Sequence, residues 1–124
     1  MEKKILVLDA DSESCQRLYQ ILDGGCYRAI AVHSLIDLED RIQEGNCLAV
    51  IMDVDTVPVD NRVIRDFALK YPGVRFLCTS KERFHPELKD AICYHIYACL
   101  NKPVDPDELL YWIKCIYENE SQDT

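Results

Sequence analysis

Leu48-Ala49-Val50-Ile51-Met52-Asp53 is the stretch on which the fold turns. Five apolar residues, rich in β-branched types, end abruptly on an acid. A run this short, with helix-like segments on either side, reads as a strand of a parallel sheet. Three further runs end in the same way on a residue that can do chemistry. Ile5-Leu6-Val7-Leu8 meets Asp9, Phe76-Leu77-Cys78 meets Thr79, and Ala98-Cys99-Leu100-Asn101 meets Lys102-Pro103. Helix-like segments lie between the runs, so the pattern is a βα repeat with a parallel sheet. Ligands and chemistry in such sheets gather at the carboxyl edge of the strands. Two carboxylates, a hydroxyl and an amine are thus expected at one place, a set suited to a divalent cation and a phosphoryl group.

Five strand–helix units follow from the punctuation. Strands are expected over about 4–9, 27–32, 47–53, 75–79 and 98–102. The first helix has Asp11 or Ser12 as its cap, carries Leu18, Ile21 and Leu22 inward, and stops at Gly24-Gly25. The second starts near Ser34, buries Leu35, Leu38 and Ile42, and ends at Gly45. The third follows Pro58, is capped by Asp60 or Asn61, and closes before Pro72-Gly73. A fourth is expected over about 86–96 with Pro86 in its first turn. The fifth opens on Asp105-Pro106-Asp107-Glu108, which joins a cap, a first-turn proline and an acid at N3. Leu109, Trp112, Ile113 and Ile116 form its buried stripe, and the chain from Glu118 reads as polar and frayed. Residues 1–120 are therefore expected to form one domain, with 121–124 a polar tail.

Composition narrows the function classes. The 124 residues carry 22 acidic and 14 basic side chains, a formal net charge of −8. That balance opposes direct nucleic-acid binding, which needs a basic footprint. No apolar run approaches the roughly 20 residues of a membrane span. The N-terminus enters a strand without a secretory apolar region, so a cytoplasmic protein is expected. Cysteines stand at 15, 26, 47, 78, 93, 99 and 115, an odd set without a C-x-x-C pair. Several lie within apolar runs, where a free thiol behaves as a small hydrophobe. His33, His85 and His95 share no ligand spacing with them, which leaves no zinc pattern.

Taken in order, Ile5-Leu6-Val7-Leu8-Asp9, Val50-Ile51-Met52-Asp53, Thr79-Ser80 and Lys102-Pro103 resemble a response-regulator receiver domain over nearly the whole chain. The resemblance implies a three-layer α/β fold, flavodoxin-like and doubly wound, with a five-stranded parallel sheet in the order 2-1-3-4-5. It implies that Asp53 accepts a phosphoryl group, that Thr79 and Lys102 bind that group, and that Lys102-Pro103 is a cis peptide. It implies Mg2+ held by Asp9, Asp53 and the backbone of Asp55. The implied partners are a histidine kinase or phosphotransfer protein, and an output domain or partner protein docking on the face of the fourth helix, fifth strand and fifth helix. Tyr94, His95, Tyr97, Tyr111 and Trp112 lie there, with Trp112 expected in the core.

Three positions depart from the family pattern. Ala10 replaces the second acid of the pair after the first strand, so Mg2+ is expected to bind more weakly, with Asp11 a substitute ligand. Pro58 stands five rather than four residues after Asp53. Cys99 occupies the place of the aromatic switch residue. These departures keep a second reading open, a pseudo-receiver that binds partners without phosphorylation. A third comes from Asp53-Val54-Asp55-Thr56-Val57, which also resembles the first motif of haloacid-dehalogenase-like phosphatases, with Asp53 the nucleophile and Asp55 the acid/base. Those enzymes need a further acidic pair after the lysine, and the 22 residues beyond Lys102 read as a helix.

Overall fold

A computed structural model describes residues 3–81 and 95–122. The chain runs β1 (Lys4–Leu8), α1 (Ser12–Gly24), β2 (Arg28–Val32), α2 (Leu35–Gln43), β3 (Cys47–Asp53), α3 (Asn61–Lys70), β4 (Arg75–Ser80), β5 (Ala98–Asn101) and α4 (Pro106–Gln122). The five strands form one parallel sheet in the order β2-β1-β3-β4-β5, the expected architecture. Of the helix expected over 86–96, residues 86–94, with Pro86 and Tyr94, lie outside the described residues, while His95 and Ile96 are not helical.

Alternation along the strands builds two cores. Ile5, Val7, Ala49, Ile51 and Leu77 face α1 and α4, where Leu18, Leu22, Leu109 and Ile113 close over them. Leu6, Leu8, Val50, Met52 and Phe76 face α2 and α3, meeting Leu38, Ile42 and Ile64. Each fully buried aliphatic side chain of this kind contributes about 2 kcal/mol. Trp112 is half-buried against the α1/α4 core and meets Tyr97 edge-on at 5.8 Å, so its packing role holds. One irregularity was not readable in the sequence. Lys4 pairs with Cys47 but Ile5 pairs with Ala49, so β3 carries an extra residue at Leu48. The bulge puts Leu48 and Ala49 on the same core and restores the alternation beyond them.

The caps decide where the helices start. Asp11 accepts from the Glu13 N–H, Ser34 from Asp37 and Asp60 from Val63, and Asp105 accepts from Asp107 at the mouth of α4. Each is worth about 1 kcal/mol. The end of α1 differs from expectation in detail. Gly25 has φ −88°, and the left-handed residue is Cys26 at φ 67°. Glycine is needed at 25 for room, since a Cβ there would stand 2.6 Å from Leu110. The last helix also outruns its expectation, continuing to Gln122 rather than fraying from Glu118. Glu is a good helix former, and nothing in that stretch breaks the helix. Among the described residues no helix is long and apolar enough to cross a membrane.

Candidate functional site

The sheet register does the assembling. Asp53 and Thr79 are direct partners across β3 and β4, and Thr79 pairs with Leu100 across β4 and β5. Backbone bonds past the strand ends extend the zipper: Val54 N–H donates to the Thr79 carbonyl at 3.1 Å and Lys102 N–H to the Ser80 carbonyl at 3.0 Å. At the other side, Asp9 N–H donates to the Val32 carbonyl. Asp9, Asp53, Thr79 and Lys102 are thereby held at one edge. Lys102-Pro103 is cis.

Asp53 is wholly buried, and Lys102 Nζ is ion-paired to its Oδ2. Its other oxygen, Oδ1, accepts the Asp55 N–H at 2.9 Å. Burial pushes the Asp53 carboxyl above its ordinary pKa, and Asp9 adds to this, against the pull of Lys102 and the Asp55 amide. Burial works against the Lys102 charge, but its bonds to Asp53 and Asp55 outweigh it and hold the ammonium pKa up. The Asp53 and Asp55 carboxylates thus share one cation, and the surplus negative charge favours any ligand that brings positive charge.

Asp9 is also wholly buried. Its Oδ1 accepts from the Asp11 N–H and from Thr56 Oγ1, each at 2.9 Å. Thr56 Oγ1 in turn accepts the Ala10 N–H at 3.1 Å. His33 Nδ1 stands 3.0 Å from the Asp9 carbonyl oxygen, a contact that needs the ring proton on Nδ1. Asp9 Oδ2 and Thr79 Oγ1 are buried without a hydrogen-bond partner. An orphaned carboxylate oxygen costs several kcal/mol less when a cation faces it.

That orphan oxygen is the test of the Mg2+ implied by the sequence. The Asp9 and Asp53 carboxylates, both buried at this edge, are hard oxygen donors of the kind that suits a small divalent ion keeping most of its waters. No group of three or more acidic, histidine or cysteine side chains converges to hold a metal among the described residues. It is the orphaned Asp9 Oδ2 that fits the ion, in a set with fewer protein carboxylates than a full acidic pair would give. Asp11 spends Oδ1 on capping α1, a use that competes with the ligand role expected of it. The Asp55 carboxylate is engaged at the ends of β4 and β5: it accepts from Ser80 Oγ at 3.4 Å and the Lys81 N–H at 2.9 Å, and lies 3.2 Å from Lys102 Nζ. Burial opposes its charge, but Lys81, Lys102 and Ser80 together hold its carboxyl below the usual pKa.

A groove of about 210 Å³ opens beside Thr79 and Lys102, bounded by Asp11, Arg17, Leu18 and Pro103. Cys99 is the direct partner of Cys78 across β4 and β5 and packs against the α2/α3 core, so its small side chain is engaged in the sheet. All cysteines among the described residues are free thiols. Sequence reading missed Thr56 as the link between Asp9 and Ala10, and Ser80 and Lys81 as partners of Asp55. The only signal was Thr56 within the D-x-D-x-T pattern; the others depend on how the loops turn.

No protein-family model and no curated protein matches the chain. Solved structures do. A response-regulator receiver domain from Clostridium thermocellum is 20% identical with a TM-score of 0.82. The signal receiver domain of an HD domain-containing protein from Pseudomonas fluorescens is 21% identical with a TM-score of 0.85. A CheY-like receiver domain from Methanospirillum hungatei is 19% identical with a TM-score of 0.83. Each alignment covers 98% of this chain and 99% of the other. From strand order to site edge, the chain has the fold of a response-regulator receiver domain along nearly its whole length.

Proposed function

We infer that the chain is the phosphoacceptor receiver of a two-component phosphorelay, with Asp53 as the acceptor. The observation that carries this is the buried Asp53 carboxylate ion-paired to Lys102 beside the unpartnered Thr79 hydroxyl. In the reaction, an Asp53 carboxylate oxygen attacks the phosphorus of a phosphohistidine or a small phosphodonor. The new O–P bond forms as the bond from phosphorus to the donor nitrogen or oxygen breaks, and the leaving group takes that electron pair and a proton. Lys102 remains charged and follows the transferred group as a point charge. The Thr79 hydroxyl, with no bond to lose, donates to a phosphoryl oxygen. Mg2+ held by Asp9, Asp53 and the Asp55 backbone would supply charge neutralisation between the two anions.

Partners follow from the same reading. A histidine kinase or phosphotransfer protein would load Asp53 in the cytoplasm, and an output domain or partner protein would read the change beside β5 and α4, where Tyr97, Trp112 and Tyr111 stack edge-on. No substrate turnover is part of the proposal beyond loss of the protein's own acyl phosphate. Ala10 and the engagement of Lys102 by two carboxylates favour the alternative, a pseudo-receiver that binds partners without phosphorylation.

Incubation with phosphoramidate and Mg2+ distinguishes the two. Intact-mass measurement is expected to show one added phosphoryl group, lost in Asp53→Asn and reduced by chelation. An unmodified wild-type protein would establish the pseudo-receiver reading.

A further inference from the structure

Three donors at the ends of β4 and β5 converge on one carboxylate, and it is not that of the phosphoacceptor. Asp55 stands two residues past Asp53, in the turn that leaves β3. An acid in an open turn is best hydrated when it points to water. Here the side chain is only 22% exposed, because it folds inward. Its Oδ2 accepts the Lys81 N–H at 2.9 Å and lies 3.2 Å from Lys102 Nζ, while Oδ1 accepts from Ser80 Oγ at 3.4 Å. It does so despite sharing that ammonium with the Asp53 carboxylate. Two anions on one cation repel, so the three donors together must outweigh the repulsion.

A phosphoryl group on Asp53 would bring about two negative charges and three acceptor oxygens to the same edge. It would call on Lys102 and on the hydroxyl and N–H donors that end β4. The Asp55 carboxylate cannot keep those donors while a phosphoryl group takes them. We propose that Asp55 is an internal occupant of the phosphoryl subsite, a carboxylate that holds Ser80, Lys81 and Lys102 in the unphosphorylated protein and must leave when a tetrahedral anion enters. The proposal rests on Asp53 being the phosphoacceptor, and it adds the resting ligand of the subsite and the residue that limits its loading. Displacement also frees the β3–α3 turn from the end of β4, since the Asp55 side chain bridges the two.

The test uses Asp55→Asn, which keeps the shape and removes the charge, and Ser80→Ala, which loosens one contact. Phosphorylation of Asp53 by phosphoramidate with Mg2+ is followed by intact mass. In parallel, the Lys81 amide resonance is followed by NMR during titration with inorganic phosphate. Asp55→Asn is expected to speed phosphorylation about tenfold, the worth of one displaced charge-assisted bond. Its Lys81 amide should show saturable phosphate binding at concentrations about tenfold lower than in wild type. Ser80→Ala, which takes a donor from both occupants, should change both less than Asp55→Asn does. Equal rates and equal phosphate responses in the three proteins would overturn the proposal. If none is phosphorylated, the phosphoacceptor reading falls, and the phosphate titration alone decides: tighter binding in Asp55→Asn supports the occupant, and no difference refutes it.

Discussion

Asp9 shows how a site residue is bound by opposing demands. Its Oδ1 is satisfied by Thr56 and the Asp11 amide, but its Oδ2 is buried without a partner. A buried charge left half-paired is destabilising. Asp9→Asn removes the charge and keeps the volume, so the protein in chelator should gain about 1 kcal/mol, read as a higher urea midpoint at an unchanged slope. The same variant should lose any stabilisation by added Mg2+. No gain in chelator would mean that the oxygen is solvated. At this scale the sequence was legible where strand ends decide position. Asp9, Asp53, Thr79 and Lys102 meet because a parallel sheet aligns its carboxyl ends. Thr56 and the bonds of Asp55 were illegible, because they depend on the path of a five-residue approach to Pro58 and not on periodicity.

Elements are set by caps and by a few backbone angles, and glycine is the sharpest example. Gly45 has φ 89° with open space around its Cα, whereas Gly24 sits at the end of α1 with equally open space and no such angle. Gly45→Ala should therefore cost about 1 kcal/mol through backbone strain alone, while Gly24→Ala should be neutral or stabilising by up to about 1 kcal/mol. Thermal melts of the two variants check this, and equal shifts would refute the distinction. Strand and helix identities were readable, since runs of three to six apolar residues alternate with capped amphipathic segments. The bulge at Leu48 was not, because one extra residue in a strand apolar on both faces leaves no trace in hydropathy. Nor was the reach of α4 to Gln122, where a polar stretch that continues a helix reads like one that frays.

Across the whole molecule, β3 is the axis of the architecture. Its seven residues are all buried, it is paired on both edges by β1 and β4, and its side chains enter both cores. Strand order was legible only through the family resemblance, since hydropathy alone leaves the winding open. Once known, it makes a ranking of local opening energies. Amide hydrogen exchange should be slowest along Val50–Met52, whose protons are released only by global unfolding, and faster in β2 and β5 at the sheet edges. Comparable rates across all five strands would contradict this.

The sheet order has a consequence for how the chain reaches this state. Every neighbouring strand pair is parallel, so none can form from a tight hairpin, and each must wait for a helix-length loop to close. Folding is then governed by the search of β1 and β4 for the flanks of β3, whose own segment is the stickiest in the chain. Until they arrive, that unpaired ribbon is the stretch most able to pair with another molecule, so losses on refolding should rise with concentration and fall when Ile51 is made polar, even though the native fold suffers.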